Sequence, residues 1–105
     1  MSTTVRRATD KFVIDVDGES AGLAAFADRD GQRVFFHTEI DDAFSGQGLS
    51  SVLVAAALDA TRDEGLRIVP VCPLVAHWLT KHHELDALVD EPTAEIVEWL
   101  GSRSS

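Results

Sequence analysis

The chain has 105 residues, with 18 Asp and Glu against nine Lys and Arg, giving a net charge of −9 with histidine neutral. That length predicts one domain, and it buries roughly two-thirds of its unfolded surface, enough for a core without staples. The acidic balance, with only Arg6 and Arg7 adjacent among the cations, argues against a nucleic-acid backbone binder, and no apolar run approaches the ~20 residues of a membrane span.

Taken from its start, the chain shows two arginines in residues 1–10 with no apolar stretch after them, so no secretory signal is predicted. Residues 1–10 and the tail 101–105 are expected to be loose ends of a single domain over 1–105. Phe12, Ile14 and Val16 alternate on one face of a first strand that runs into Asp17-Gly18, a two-residue hairpin signal. A second apolar run, Ala21 to Ala27, ends in the turn cluster Asp28 to Gly31. A third strand follows over Arg33 to Ile40, with Val34, Phe36, Thr38 and Ile40 on one face and Phe35, His37 and Glu39 on the other. These three predict an antiparallel meander.

The period then changes. Leu49, Val52, Leu53, Ala56 and Ala60 recur at helical spacing, and Gly65 stands where a C-terminal stop belongs. Leu66 to Val71 is a short apolar strand, so Arg33 to Val71 predicts a β-α-β crossover unit with parallel strands. Pro70 has no N–H to give a ladder, and suits either a place where strand pairing opens or a sheet edge. Pro73 suits the first turn of a helix that carries Leu74, His77, Trp78 and Lys81. A last helix is expected over Thr93 to Leu100, with Ile96, Val97 and Leu100 facing inward. The fold class is α+β: a three-stranded antiparallel meander, a β-α-β unit and C-terminal helices.

The segment Ala43 to Ser51 carries the sharpest chemical signal. Gly46 and Gly48 feed a helix N-terminus, where bare amides and the helix dipole favour an anion, and Ser50 and Ser51 add hydroxyl donors. A tight turn with a cap explains the same residues. No Gly-Lys-Ser/Thr follows and a third glycine is missing, so neither a Walker loop nor a dinucleotide fingerprint is present. Glu39 and His37 share a strand face about 7 Å apart. They fit a base and its orienter, an ammonium clamp, or a plain polar face. Cys72 precedes a helix start that would stabilise its thiolate, although free cysteine also serves as a small hydrophobe. As the lone cysteine it cannot form an internal disulfide, which points to a cytoplasmic protein. His82 and His83 are adjacent and diverge on a helix, and no metal site is expected. His77 fits an acceptor cleft or, as for His82 and His83, plain solvent exposure, which is the favoured reading, and Trp78 and Trp99 suit core anchors.

Three segments, His37-Thr-Glu-Ile40, Gly46-Gln-Gly-Leu-Ser-Ser-Val-Leu-Val54 and Val69-Pro-Val-Cys-Pro-Leu-Val75, resemble in order and spacing a compact single-domain branch of the GNAT superfamily of N-acetyltransferases. The resemblance covers roughly Phe12 to Val89. It implies acetyl-CoA as co-substrate, with Ser45, Gly46, Gln47, Gly48, Leu49, Ser50 and Ser51 around the pyrophosphate. Pantetheine would lie near Ile40 and Asp41, between the third strand and Arg67 to Val71. It implies Glu39 as base through water beside His37, and Cys72 next to the thioester as acid or auxiliary nucleophile. The acceptor would be a small-molecule or protein amine. Ser45 stands where the superfamily usually has Arg or Gln, Ser50 where it has Gly or Ala, and the acid tyrosine is absent because the chain has no tyrosine. Those departures support an alternative, a non-catalytic CoA-binding module, while an acidic interaction domain without a small ligand is the third reading. An exposed strand edge would permit a homodimer.

Overall fold

β-branched and aromatic residues alternate as far as Ile40, and the chain folds them into β1 (Thr3–Arg7), β2 (Lys11–Val16), β3 (Glu19–Arg29) and β4 (Gln32–Ile40). The computed structural model, which describes residues 2–103, pairs each strand antiparallel to the next. Two-residue turns at Asp17-Gly18 and Asp30-Gly31 have positive φ at both central positions, the twist that matches right-handed strands. The meander therefore has four strands rather than three. The expectation that residues 1–10 are loose is corrected at Thr3–Arg7, where Thr3, Thr4 and Val5 supply β-branched side chains and Val5 packs against the core.

Alternation along β4 is interrupted. Ala25 faces His37 while Phe26 faces Phe35, so Phe36 is an extra residue that bulges from the ladder. The expected faces are corrected accordingly. Phe35 enters the core with Thr38 and Ile40 on its side of the sheet, whereas Phe36 is 36% exposed. One inserted residue reverses the phase of everything before it.

After β4 the chain forms α1 (Leu49–Asp63), returns as β5 (Arg67–Pro70) parallel to β4, and continues into α2 (Pro73–Lys81) and α3 (Ala94–Arg103). The β-α-β unit stands as expected. α1 ends in a Schellman arrangement around Gly65: the Leu66 amide donates to Thr61 O and the Gly65 amide to Arg62 O. Leu53, Val54, Ala57 and Leu58 pack on Phe12, Ile14, Phe26 and Phe35. Val52, expected inward, is 48% exposed, because apolar residues lie on several sides of α1 and the sheet selects one. α3 covers the other face at the β4–β5 end, with Ile96 against Val34 and Val69. Val97 points outward there, and Trp99 packs in its place. Residues 101–103 continue α3 instead of forming a loose tail, and 104–105 lie outside the described residues. Among the described residues no helix is long and apolar enough to cross a membrane.

The end of the sheet where β4 begins is tied by charge. Arg33 is fully buried, with its guanidinium 4.2 Å from the Phe26 ring centroid. It donates to both Asp28 oxygens (2.8 and 2.9 Å) and both Glu64 oxygens (2.7 and 3.0 Å). Burial opposes its charge, but these hydrogen bonds and carboxylates outweigh that and hold its pKa above the ordinary arginine value. Arg33 in turn holds the Glu64 carboxyl below its ordinary value. Beside it, Asp90 accepts from Arg67 and Gln32 at 2.8 Å, and those two donors lower its pKa too.

A lowered folded pKa stabilises above the ordinary carboxylate range and loses that contribution as pH falls through the folded value. Glu64→Gln is therefore expected to cost about 1–2 kcal/mol at neutral pH, the worth of a hydrogen bond to a charged partner. It should also flatten the acid limb below about pH 4 in urea unfolding. An acid limb as steep as that of the unaltered chain would contradict this role.

Candidate functional site

Proline ends the β4–β5 ladder. The last pair is Phe35 with Pro70, and the next contact is the Cys72 amide donating to Phe35 O at 2.8 Å as the chain turns into α2. β4 continues to Ile40 with only β3 beside it. The two parallel strands thus part, and β4 beyond Phe35 presents an unpaired backbone edge.

Residues on either face of that edge differ in chemistry. Past the Phe36 bulge, His37 and Glu39 share the face away from α1, with His37 Nε2 3.2 Å from Glu39 Oε2, and both are exposed. On the opposite face the Cys72 thiol donates to Thr38 Oγ1 at 3.4 Å, and Cys72 is only 5% exposed. The structure brings His37 and Glu39 together and sets Cys72 across the strand from them. Thr38 escaped the sequence reading, although strand alternation around His37 and Glu39 was the signal for it.

Glu39 is also positioned from β3. A Cβ built on Gly22 would meet Glu39 O and Ile40 Cδ1 at 2.6 Å, so only glycine lets β4 come this close. Ile40 is half-buried on the core side, and Asp41 caps the 3-10 turn Asp42–Phe44, accepting the Ala43 amide at 2.9 Å. Ser45 closes that turn: its amide and its hydroxyl both donate to Asp42 O (3.2 and 3.0 Å). Both Ser45 donors are thus engaged within the turn. The Gly46, Gln47 and Gly48 amides have no acceptor among the described residues. Gly48 is the N-cap of α1 at φ 72°, a left-handed conformation that glycine adopts without Cβ strain. Leu49 anchors the first turn in the core, and Ser50 and Ser51 follow on the surface side.

Two hollows flank this edge. A groove of about 220 Å3 between the start of α1 and α2 is lined by Ser50, Ser51, Leu74, Trp78, Lys81 and His82. Trp78 stacks on His82 with ring centroids 4.1 Å apart and donates to Ser51 Oγ at 3.3 Å. The stripe Leu74, His77, Trp78 and Lys81 read from the sequence lines this groove, while Val75 and Leu79 enter the core. His77 is thus beside the α1 N-terminus, and it is exposed. The second hollow, about 600 Å3, is a trough on the Glu39 face that extends to β1. Arg6, Arg7, Arg29, Arg33, Arg62 and Arg67 each pair with a carboxylate. Lys11 and Lys81 have no carboxylate partner among the described residues, and each lines one of the two hollows. Among the described residues no three His, Cys, Asp or Glu side chains gather as a metal site.

Comparison with known proteins follows this geometry. The family model for GCN5-related N-acetyltransferases matches residues 11–88. The solution structure of a GCN5-like protein from Staphylococcus aureus is similar with a TM-score of 0.65 at 22% identity, over 87% of this chain and 91% of that one. An aminoglycoside acetyltransferase from an uncultured soil metagenomic sample, in complex with sisomicin, matches with a TM-score of 0.47 and 9% identity, over 93% of this chain and 57% of that one. No curated protein matches.

The close approach at Gly22 generates a prediction. Gly22→Ala should push β4 away at Glu39 and Ile40, costing about 1–3 kcal/mol, typical of an overpacked site. Amide chemical shifts should move most at Glu39 and Ile40. A variant of unaltered stability with unmoved β4 signals would show that the strand accommodates a methyl group.

Proposed function

The chain belongs to the GCN5-related N-acetyltransferase family, and on that premise we propose that it moves the acetyl group of acetyl-CoA onto a primary amine where β4 and β5 part. The observation that carries this reading is the combination at one unpaired strand edge: free loop amides at its end, Cys72 with Thr38 on one face and Glu39 with His37 on the other.

The residues present fit acetyl-CoA by their donor set. The Gly46, Gln47 and Gly48 amides and the positive end of α1 suit a pyrophosphate, and Ser50 adds a hydroxyl. Lys81 and the Trp78–His82 stack in the adjoining groove offer an unpaired cation and an aromatic surface for the nucleotide end. Ser45 contributes none of these donors, and Lys81 supplies a charge that the loop itself lacks. The free edge of β4 near Ile40 and Asp41 offers backbone groups to pantetheine, as a sheet edge does to an added strand.

Acetyl-CoA, when bound, supplies an acetyl thioester whose carbonyl carbon accepts the amine nitrogen. Glu39 takes the proton that the acceptor ammonium must lose, directly or through one water, and His37 orients the carboxylate through their 3.2 Å contact. Cys72 is on the opposite side of the strand, where its thiol would give a proton to the departing CoA sulfur. Its hydrogen bond to Thr38 Oγ1 holds the thiol in place, and after transfer the thiolate regains its proton from solvent. With no tyrosine in the chain, this thiol takes the acid role. Its burial and its bond to Thr38 favour direct transfer over an acetylated cysteine.

Acetyl-CoA at 100 times its Kd should add ~2.7 kcal/mol, raising Tm on the order of 10 °C; CoA should do the same and ATP should not. Ser50→Glu keeps or improves the helix, because a carboxylate favours its N-terminus, yet it opposes an anionic ligand. This variant should lose the Tm rise. A full rise in Ser50→Glu would remove the pyrophosphate from the α1 loop. Glu39→Gln should retain the rise while kcat/KM with an amine falls about 10²- to 10⁴-fold. Undiminished turnover would reassign the base.

A further inference from the structure

We infer that the acceptor is an amine carrying an anionic group, bound across the trough on the Glu39 face with its ammonium at Glu39 and its anion at Lys11. The trough is built row by row from the sheet register. Arg6 on β1 faces Val13 on β2, Val13 faces Leu23 on β3, and Leu23 faces Glu39 on β4. In the next row Lys11 faces Ala25, which faces His37. Cations therefore stand on the first two strands, acid and histidine stand on the fourth, and apolar residues form the floor between them. Two strand spacings, about 10 Å, separate the Lys11–Val13 segment from the His37–Glu39 segment.

The groups that face the trough are not equally free. Arg6 is held at Nε by Asp15 at 2.8 Å, and Ser20 donates to the same carboxylate. Asp41 is occupied in part by capping the Ala43 amide. Glu39 has one oxygen on His37 and the other open. Lys11 has no carboxylate partner among the described residues, in a chain with twice as many acids as bases. Its β-carbon end is half-buried in the strand, so the ammonium can reach over Val13 and Leu23 but is not drawn into an ion pair across them. An unpaired cation and an open carboxylate at opposite ends of an apolar floor are complementary to a ligand with the reverse polarity. A diamine would bring a second positive charge to Lys11, and a simple alkylamine would leave Lys11 unanswered. The shared chemistry is a primary amine joined through an apolar spine to a carboxylate.

The inference rests on the acetyl-transfer reading above for the role of Glu39, and the test separates the two. ε-Aminocaproate, n-hexylamine and cadaverine share one methylene spine and end in an anion, a methyl group and a second ammonium. Binding is followed by amide shifts at Val13 and Leu23, and transfer by thiol release from acetyl-CoA. ε-Aminocaproate should bind about tenfold more tightly than n-hexylamine, as one charge-assisted contact allows, with cadaverine weakest and kcat/KM in the same order. Lys11→Met, which keeps the stem, should erase the difference between ε-aminocaproate and n-hexylamine. Lys11→Glu should place cadaverine first, with the acetyl-CoA-induced rise in Tm unchanged in both variants. Three results would overturn the inference: cadaverine equal to ε-aminocaproate in the unaltered chain, an order indifferent to Lys11, or no shift at Val13 and Leu23 with any of the three. Turnover without regard to the tail would overturn it and leave acetyl transfer standing. Lys11-dependent binding of ε-aminocaproate without thiol release would uphold the trough and remove the transfer reading.

Discussion

The parting of β4 from β5 is the constraint from which the site follows. Strand pairing stops at Phe35 with Pro70, the Cys72 amide still donates to Phe35 O, and the chain then turns into α2. β4 is held on its other side by β3, so it runs on to Ile40 with its second edge unpaired. That one parting sets Cys72 beside Thr38, exposes backbone to a ligand, and leaves His37 and Glu39 at a rim instead of beneath a neighbouring strand.

A strand can part at one end only if it is secured at the other. Arg33 and Asp90 do this. Arg33 joins β3 through Asp28 to the C-terminus of α1 through Glu64, and Asp90 joins Gln32 of β4 to Arg67 of β5. The full burial of Arg33 would be costly for a lone charge, but two bidentate carboxylates and the Phe26 ring face satisfy it. Nearby, α3 covers Val34 and Val69 at this same end and leaves the sheet face beyond them bare. Rigidity and openness are thus divided along β4, with charge and apolar packing at its start and ligand-sized hollows at its end.

Charge serves this division in a second way. The chain has 18 acids and nine bases, and among the described residues six arginines pair with a carboxylate. Lys11 and Lys81, which have no such partner there, are at the two hollows, on opposite faces of the sheet. Lys81 lies by the loop amides and Lys11 by the apolar floor that leads to Glu39. In an acidic protein such local cations, more than the net charge, mark the places on the surface where an anion is least opposed.

Much of this was legible in the chain. The Asp17-Gly18 hairpin, the stop at Gly65, Pro73 in the first turn of α2 and the glycine loop before α1 are local signals, because turn and cap geometry depends on a few consecutive residues. The pairing of His37 with Glu39 belongs to the same class, since it is set by spacing along one segment. The bulge at Phe36, the outward turn of Val52 and Val97, the ordering of Thr3–Arg7 and the commitment of the Ser45 amide were decided only in the folded chain. Each depends on which of several apolar or polar partners a residue meets from a distant strand or helix. The trough is the clearest case: Lys11, Leu23 and Glu39 are far apart in sequence and become one surface only through strand register. Sequence by itself determined the elements and the turns and caps that join them. Tertiary structure decided which face each side chain occupies, because that choice belongs to the contacts between elements and not to any one of them.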